Sequence, residues 1–399
     1  MIIIHHMEKI NCDIVAVIHR IFVDGERKNG GADKILDFLS KKSNRILMIE
    51  HPLLGLKEKE KNINEVVVSL ITDGNIKEIY REKIKKKNVC LRWISEVFFN
   101  VNFINKNIKN KPIFFSSDPL NSLTGVFSSW KYSKKYFHFV DFSKRRFDIF
   151  WLNLIYLVSI KLSIYFFDLL GVVSIATGNE LRKMGAKEEK IFYIPNSPVF
   201  QKKNLSRKEP FTLICTGGRI LEKYNYEAIL EIVYKLKKIF PKILLYAAGG
   251  TDADRQYYEK LLGIIRKKSL GKNVVFTGFL NSDELEKILI KATVGFSFYS
   301  KQVDYYMKYA DPLKVREYAL YGIVTISDGK SSVDNEMLKE SSGYIVSKTS
   351  EAVNIIKKLI QDKNLYLKYQ YNSINWAKKM DKRIILEKLY NKLFNEIKL

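Results

Sequence analysis

Between residues 311 and 326 the chain places a proline, a lysine, a glutamate and a glycine in one short stretch, as Pro312, Lys314, Glu317 and Gly322. Pro312 suits the first turn of a helix, where an amide hydrogen would have no partner anyway. Lys314 and Glu317 are three residues apart and so share one helix face. Gly322 is placed to stop that helix, and an apolar strand over 323–327 follows at once. A carboxylate on this face can accept the paired hydroxyls of a ribose, while the amides opening the helix can hold a phosphate. On spacing alone, an amphipathic helix with a surface ion pair explains the same residues equally well.

Upstream, the apolar strand 211–215 runs into Thr216-Gly-Gly-Arg219, with Lys223 four residues further on. Cations held at a strand end can meet negative charge that develops on a leaving group. A structural arginine in a turn and a solvated lysine are the plainer alternative. Asp252 and Asp254 have the spacing of a metal-binding pair, but they follow Gly249-Gly250 and precede a helical pattern, where a helix cap is expected. No metal site and no resident cofactor are therefore expected. In the first half, Asp141 ends an apolar strand, a common place for a functional carboxylate in open α/β sheets. His138, in the same strand, reads as a packed sheet residue with Asp141 as its neighbour. Asp118 stands before Pro119, as a turn cap or as a site residue. Gly30-Gly31 would let a ligand approach the backbone closely, or simply make a turn.

The elements that must carry these residues alternate. Strand 13–18, the Gly30-Gly31 loop, a helix over 32–39 and strand 45–50 make a βαβ unit. Further strands are expected at 66–70, 112–115, 137–140, 172–176 and 191–194. After Pro195-Asn-Ser-Pro198 and a basic linker over 200–210, the pattern restarts: strands at 211–215, 243–247, 274–277, 294–298 and 323–327 alternate with helices at 226–240, 254–268, 282–291 and 312–321. The last stretch, 351–399, reads as helical. The fold class is α/β, and 399 residues suit two domains.

The segment from Asp311 resembles the P-x-K-x-x-E-Y-x-x-x-G-x-x-V signature of glycosyltransferase family 4, of the GT-B fold: two Rossmann-like domains facing a cleft, with a C-terminal helix crossing back. Gly218-Arg-Ile-Leu-Glu-Lys223 resembles the family's G-R-L…K turn, and Asn273-Val-Val-Phe-Thr-Gly-Phe279 its V-x-F-x-G strand. Residues 174–196 are similar to the stretch that closes the family's acceptor domain. The resemblance implies an acceptor-binding domain over 1–203, a donor-binding domain over 204–375, and a crossover helix over 376–399 anchored by Trp376 and Leu389. It implies that Arg219 and Lys223 clamp a diphosphate and that Glu317 holds the ribose. The backbone around Tyr309, Asp311 and Pro312, with Leu313, Lys314 and Gly218, would lie near the sugar and phosphates, and Phe279 and Leu280 near the base. Asp118, Asn121, His138 and Asp141 fall in segments that resemble those lining the acceptor side. One departure stands out: many members carry a glutamate eight residues before the second, and here Tyr309 occupies that position.

What the resemblance implies is a hexose-transferring, metal-independent glycosyltransferase. It would use a nucleotide-diphosphate sugar as co-substrate, act on a saccharide or lipid-linked saccharide, and retain anomeric configuration. An epimerase, a phosphorylase or an inactive scaffold on the same fold are the alternatives.

Composition bounds the partners. The net charge is +25, with basic clusters at 83–87, 131–135 and 144–146, and such surfaces favour anionic lipid. No basic helix with interleaved aromatics points to nucleic acid. Three cysteines without metal spacing suit a reducing compartment. The expected location is cytoplasmic, or peripheral on the inner face of the cell membrane. The apolar run 149–173 is broken by Asn153, Lys161 and Asp168, and reads as a buried or membrane-facing helix rather than a span.

Overall fold

Short runs of β-branched and aromatic residues, separated by amphipathic helices, give two mostly parallel sheets. The computed structural model describes residues 9–23, 26–28, 31–52, 65–83 and 89–394. Two units result, one of Met1–Ile194 with Leu386–Leu399, the other of Pro195–Ile385.

The first unit contains β1 (Ile14–Val23), β2 (Glu26–Lys28), α1 (Gly31–Ser40), β3 (Arg45–Pro52), β4 (Glu65–Thr72), β5 (Asn75–Lys83), α2 (Val89–Asn107), β6 (Ile113–Ser116), α3 (Pro119–Phe127), β7 (Lys134–Phe139), α4 (Phe150–Phe166), β8 (Leu169–Val172), α5 (Ile175–Lys183) and β9 (Ile191–Tyr193). Its strand order is β5-β4-β3-β1-β6-β7-β8-β9, with β2 on β1. The strands from β3 to β9 along this path are parallel, and β4 and β5 add an antiparallel edge. The sequence reading lacks β5, whose face is polar and exposed. Its signal was the Asp73-Gly74 pair, both at positive φ, as a two-residue hairpin turn requires. The strand expected at 172–176 lies earlier, at β8, because the Ser174 side chain accepts from Thr177 N and starts α5 there.

The second unit contains β10 (Thr212–Arg219), α6 (Tyr226–Lys237), β11 (Leu244–Gly250), α7 (Arg255–Lys267), β12 (Val274–Gly278), α8 (Ser282–Lys291), β13 (Val294–Ser297), α9 (Asp304–Met307), α10 (Leu313–Leu320), β14 (Val324–Ser327), α11 (Ser332–Lys339), β15 (Gly343–Ile345), α12 (Thr349–Gln361) and α13 (Lys363–Lys379). Its sheet is parallel throughout, in the order β12-β11-β10-β13-β14-β15. One core joins α6, α7 and α12 to the sheet, and another packs α10 and α13 around Tyr318, Val315 and Trp376.

The units part at residue 194/195, ahead of the expected 203/204. The intervening residues are tied into the second unit: Asn196 N donates to Asp311 (2.6 Å), Phe200 packs on the α10 core, and Lys203 pairs with Glu286 (2.8 Å). Trp376 corrects a second expectation. It lies in α13, buried in the second unit's core with the Arg316 guanidinium over its ring (5.1 Å), and is no crossover anchor. The last helix, α14 (Lys382–Phe394), starts among residues of the second unit and ends among those of the first, with Leu389 buried.

Candidate functional site

A cavity of about 450 Å³ opens in the second unit at the C-terminal ends of β10 and β11, within the size range of small-molecule sites. Its backbone wall is glycine. Thr216, Gly217 and Gly218 end β10, where the register against β11 shifts, and Ala248 and Gly249 lie opposite. A Cβ on Gly249 would lie 2.6 Å from Gly217 O, so the two strand ends approach this closely only without a side chain there.

The facing wall is the start of α10, which presents Pro312, Leu313, Lys314 and Glu317. The helix is fixed at both ends. At its C-terminus Gly322 adopts φ +61°, and Gly322 N and Ile323 N donate to Ala319 O (3.0 Å) and Tyr318 O (2.9 Å), the paired bonds of a Schellman stop. Midway, the Tyr318 hydroxyl accepts from Thr216 N (2.7 Å) and binds Thr216 Oγ1 (3.0 Å), pinning α10 to the end of β10. First-turn amides of a helix have no partner within it, and Leu313 and Lys314 of that turn line the cavity.

Lys314 decides the electrostatics. It is buried, its ammonium makes no hydrogen bond, and it stands over the rings of Tyr224 and Tyr299 at 4.8 Å each. Both tyrosines line the cavity, and their faces attract the cation. Burial pushes the Lys314 pKa down, against the pull of Cys215, Asp328 and Asp334. Lys223 is half-buried and likewise lowered by burial, with its ammonium 5.0 Å from the Tyr224 ring. A cation in low dielectric without an anion is costly, and an anionic ligand would relieve it. On the opposite rim Phe279 follows Gly278 (φ +71°), and Phe279, Leu280 and Leu285 offer an apolar wall.

Residues 198–376 match the family model described as glycosyl transferases group 1. That match lies wholly within the second unit.

Over the whole chain, solved structures agree in fold. HepE of Anabaena, determined with UDP, is 14% identical, with 95% of this chain and 99% of that one covered, at a TM-score of 0.67. The lipopolysaccharide outer core galactosyltransferase WaaB is 14% identical over 96% of this chain and 99% of its own, at 0.65. Sucrose-phosphate synthase of Thermosynechococcus elongatus is 14% identical over 96% and 100%, at 0.63. The fold is GT-B. No curated protein sequence matches the chain.

Within the matched segment the cavity gathers Gly218, Phe279, Leu280, Pro312, Leu313, Lys314 and Glu317. Arg219 is exposed at the end of β10, just beyond the glycines, and is not part of the lining. Asp311 needs correction. It is buried away from the lining and bound to Arg316 (3.1 Å), which also reaches Glu336 (3.2 Å), so its carboxylate ties loop to helix. Tyr309 is buried too and outside the lining, and its amide donates to Tyr306 O (3.0 Å). Asp254 caps α7, accepting from Tyr257 N (3.0 Å). Tyr224 and Tyr299 escaped the sequence reading. Their signal was position, directly after a strand end or turn already singled out.

In the first unit, Gly30 lies outside the described residues, and Gly31 opens α1. His138 is buried in β7, a packed position in the sheet, with Nδ1 at 3.1 Å from the Tyr136 hydroxyl. Asp141 is exposed past the end of β7 and pairs with Arg146 (2.6 Å). Asp118 caps α3, accepting from Leu120 N and Asn121 N, and also meets His19 Nδ1 (3.3 Å). Asn121 Nδ2 lies 3.1 Å from the same nitrogen. They belong to a buried network that sequence reasoning missed. His19 Nε2 contacts Glu96 (3.1 Å), Glu96 accepts from Arg92 (3.0 Å), and His51 Nε2 meets Asn100 (2.8 Å). Burial pushes His19 down, but Asp118 and Glu96 outweigh it and raise the imidazole to about 10. Burial prevails at His51, which falls to about 4.

Proposed function

We propose that the protein transfers a hexose from a nucleoside-diphosphate sugar to a saccharide or lipid-linked saccharide, with retention of configuration and without a metal ion, at the inner face of a membrane. The observation that carries this reading is the unpaired, buried Lys314 at a glycine-walled cavity beside a helix start. These features suit a diphosphate: backbone that can approach closely, first-turn helix amides, and a cation without an anion. Lys223 and Arg219 stand on the adjoining turn to add charge. Glu317 shares the Lys314 face and is assigned the ribose hydroxyls, with Phe279 and Leu280 against the base. Relatives in fold were solved with UDP and UDP-glucose, so uridine is the first base to test.

In the reaction, the bond from the anomeric carbon to the phosphate oxygen breaks and its electron pair leaves with the diphosphate. The acceptor oxygen bonds to that carbon. Asp141 is assigned to the acceptor, orienting its hydroxyl or taking its proton. General-base assistance of that kind contributes roughly 10²- to 10⁴-fold.

The test is thermal stability against a panel of nucleoside diphosphates. A ligand at about 100 times its dissociation constant should add roughly 2.7 kcal/mol. One diphosphate should raise the melting temperature of the wild type, and less so that of Glu317→Ala. A panel with no effect would sink the donor-site assignment. Asp141→Asn should leave that shift intact while slowing transfer, and an unchanged rate would remove Asp141 from the mechanism.

A further inference from the structure

Helix α4 is apolar on both faces. One face, with Leu152, Tyr156, Ile160 and Ile164, is buried against the first unit. The other carries Phe150, Trp151, Leu154, Ile155, Val158 and Tyr165, all exposed, with Phe150 at 69%, Trp151 at 67% and Tyr165 at 77%. A helix that packs on one side and meets water on the other normally has a polar outer face, and contiguous exposed apolar surface of this kind marks an interaction site.

The patch continues onto a neighbour. Trp93 of α2, Leu120 of α3 and Leu152 of α4 form one small buried cluster with Phe147 packed on it, which brings the starts of α2 and α4 to a common corner. At that corner α2 exposes Leu91, Ile94 and Phe98, three and four residues apart and therefore on one face. Ile149, 60% exposed, stands just before α4.

Charge selects the occupant. Residues 129–161 contain seven lysines and arginines against two aspartates. Lys144, Arg145 and Arg146 are exposed immediately before the Ile149-Phe150-Trp151 run, and Lys161 is exposed on α4 itself. The partners of the three are Glu180, Asp148 and Asp141, in pairs that reach solvent, and such pairs exchange readily for another anion. Exposed aromatic and aliphatic side chains flanked by cations fit the boundary between lipid headgroups and acyl chains. No described helix is long and apolar enough to cross a membrane.

We infer that the outer face of α4, with the start of α2, docks the protein on an anionic lipid bilayer, Phe150 and Trp151 entering the headgroup–acyl boundary and Lys144–Arg146 meeting lipid phosphates. The inference rests on the peripheral-membrane part of the proposed function and gives it a surface.

Flotation with phosphatidylcholine vesicles, with and without phosphatidylglycerol, tests it on the full chain. Wild type should bind only the anionic vesicles, and less as salt rises. The double variant Phe150→Ser/Trp151→Ser should bind about tenfold or more weakly, and Arg145→Glu should weaken binding and flatten its salt dependence. Each variant should keep the wild-type melting temperature and nucleotide-induced shift. If wild type binds anionic vesicles and the double variant binds equally well, the surface is wrong while the peripheral reading stands. If wild type binds no vesicle, both fall. If wild type is a dimer that the double variant dissociates, and vesicle binding is untouched, the face belongs to a second copy of the chain and the inference is overturned.

Discussion

The two units present the same edge, the C-terminal ends of central parallel strands, and treat it in opposite ways. In the second unit β10 and β11 carry Gly217, Gly218, Gly249 and Gly250 near their C-terminal ends, and a buried ammonium is left without an anion. In the first unit the β1–β3 pairing stops one register pair past His19 and His51, which are register partners and sit within a network of Glu96, Arg92, Asn100 and Asp118. One edge leaves room and charge for a ligand. The other fills its space with its own side chains, which pair both histidines with partners of the chain. A common scaffold therefore does not settle where a ligand goes; the residues at the strand ends do.

The contrast can be broken most forcefully at Glu96. Its loss would take from buried His19 one of its two carboxylates and from buried Arg92 its ion-pair partner, so Glu96→Ala should lower stability by about 3–5 kcal/mol in a denaturant titration. Nucleotide affinity measured in conditions where the variant remains folded should not change, and a specific loss of affinity would mean that the network serves the ligand after all. The mirror experiment is Lys314→Met. Removing a cation already without a partner should leave the melting temperature unchanged or raise it, while diphosphate affinity by calorimetry drops roughly 10- to 100-fold. Because the Lys314 pKa is lowered by burial, wild-type affinity should also begin to fall at a lower alkaline pH than an ordinary lysine would give, and the Met variant should lose that fall.

Gly249→Ala sharpens the geometric side. The added Cβ meets Gly217 O, and relief of such overpacking costs about 1–3 kcal/mol. Lower stability and weaker diphosphate binding are expected together, and a variant with wild-type affinity would show that the narrow glycine wall is not needed. The smallest effect is the pH dependence of the first unit. His51, lowered to about 4, stays neutral in the folded chain while the unfolded chain takes up a proton, so its contribution is full above about 6.5 and lost as pH falls towards 4. His19, raised to about 10, contributes fully below about 6.5 and loses that contribution as pH rises towards 10. Stability should therefore peak near pH 6.5, with His51→Phe flattening the acid limb and His19→Gln the alkaline one in melting-temperature profiles.

Much of the α/β alternation was legible from local pattern, because parallel strands buried on both faces read as apolar runs and their helices as amphipathic ones. The helix from Leu313 to its Gly322 stop was legible too, since proline, glycine and a three-residue spacing act within one turn. So was the sharing of a wall by Lys314 and Glu317. What the chain could not disclose locally depends on partners far away in sequence. Asp311 looks like a ligand residue until Arg316, Glu336 and Asn196 close around it. Trp376 looks like an anchor until α13 buries it beside α10. His19, Glu96 and Asp118 lie on three separate elements, and only the sheet brings them within hydrogen-bonding reach. Burial of a charge, and hence its pKa and its need for a counter-charge, arises from packing between distant segments. Residue types and spacing thus determined which groups could act, and the tertiary structure decided which of them are already satisfied and which, like Lys314, still lack a partner.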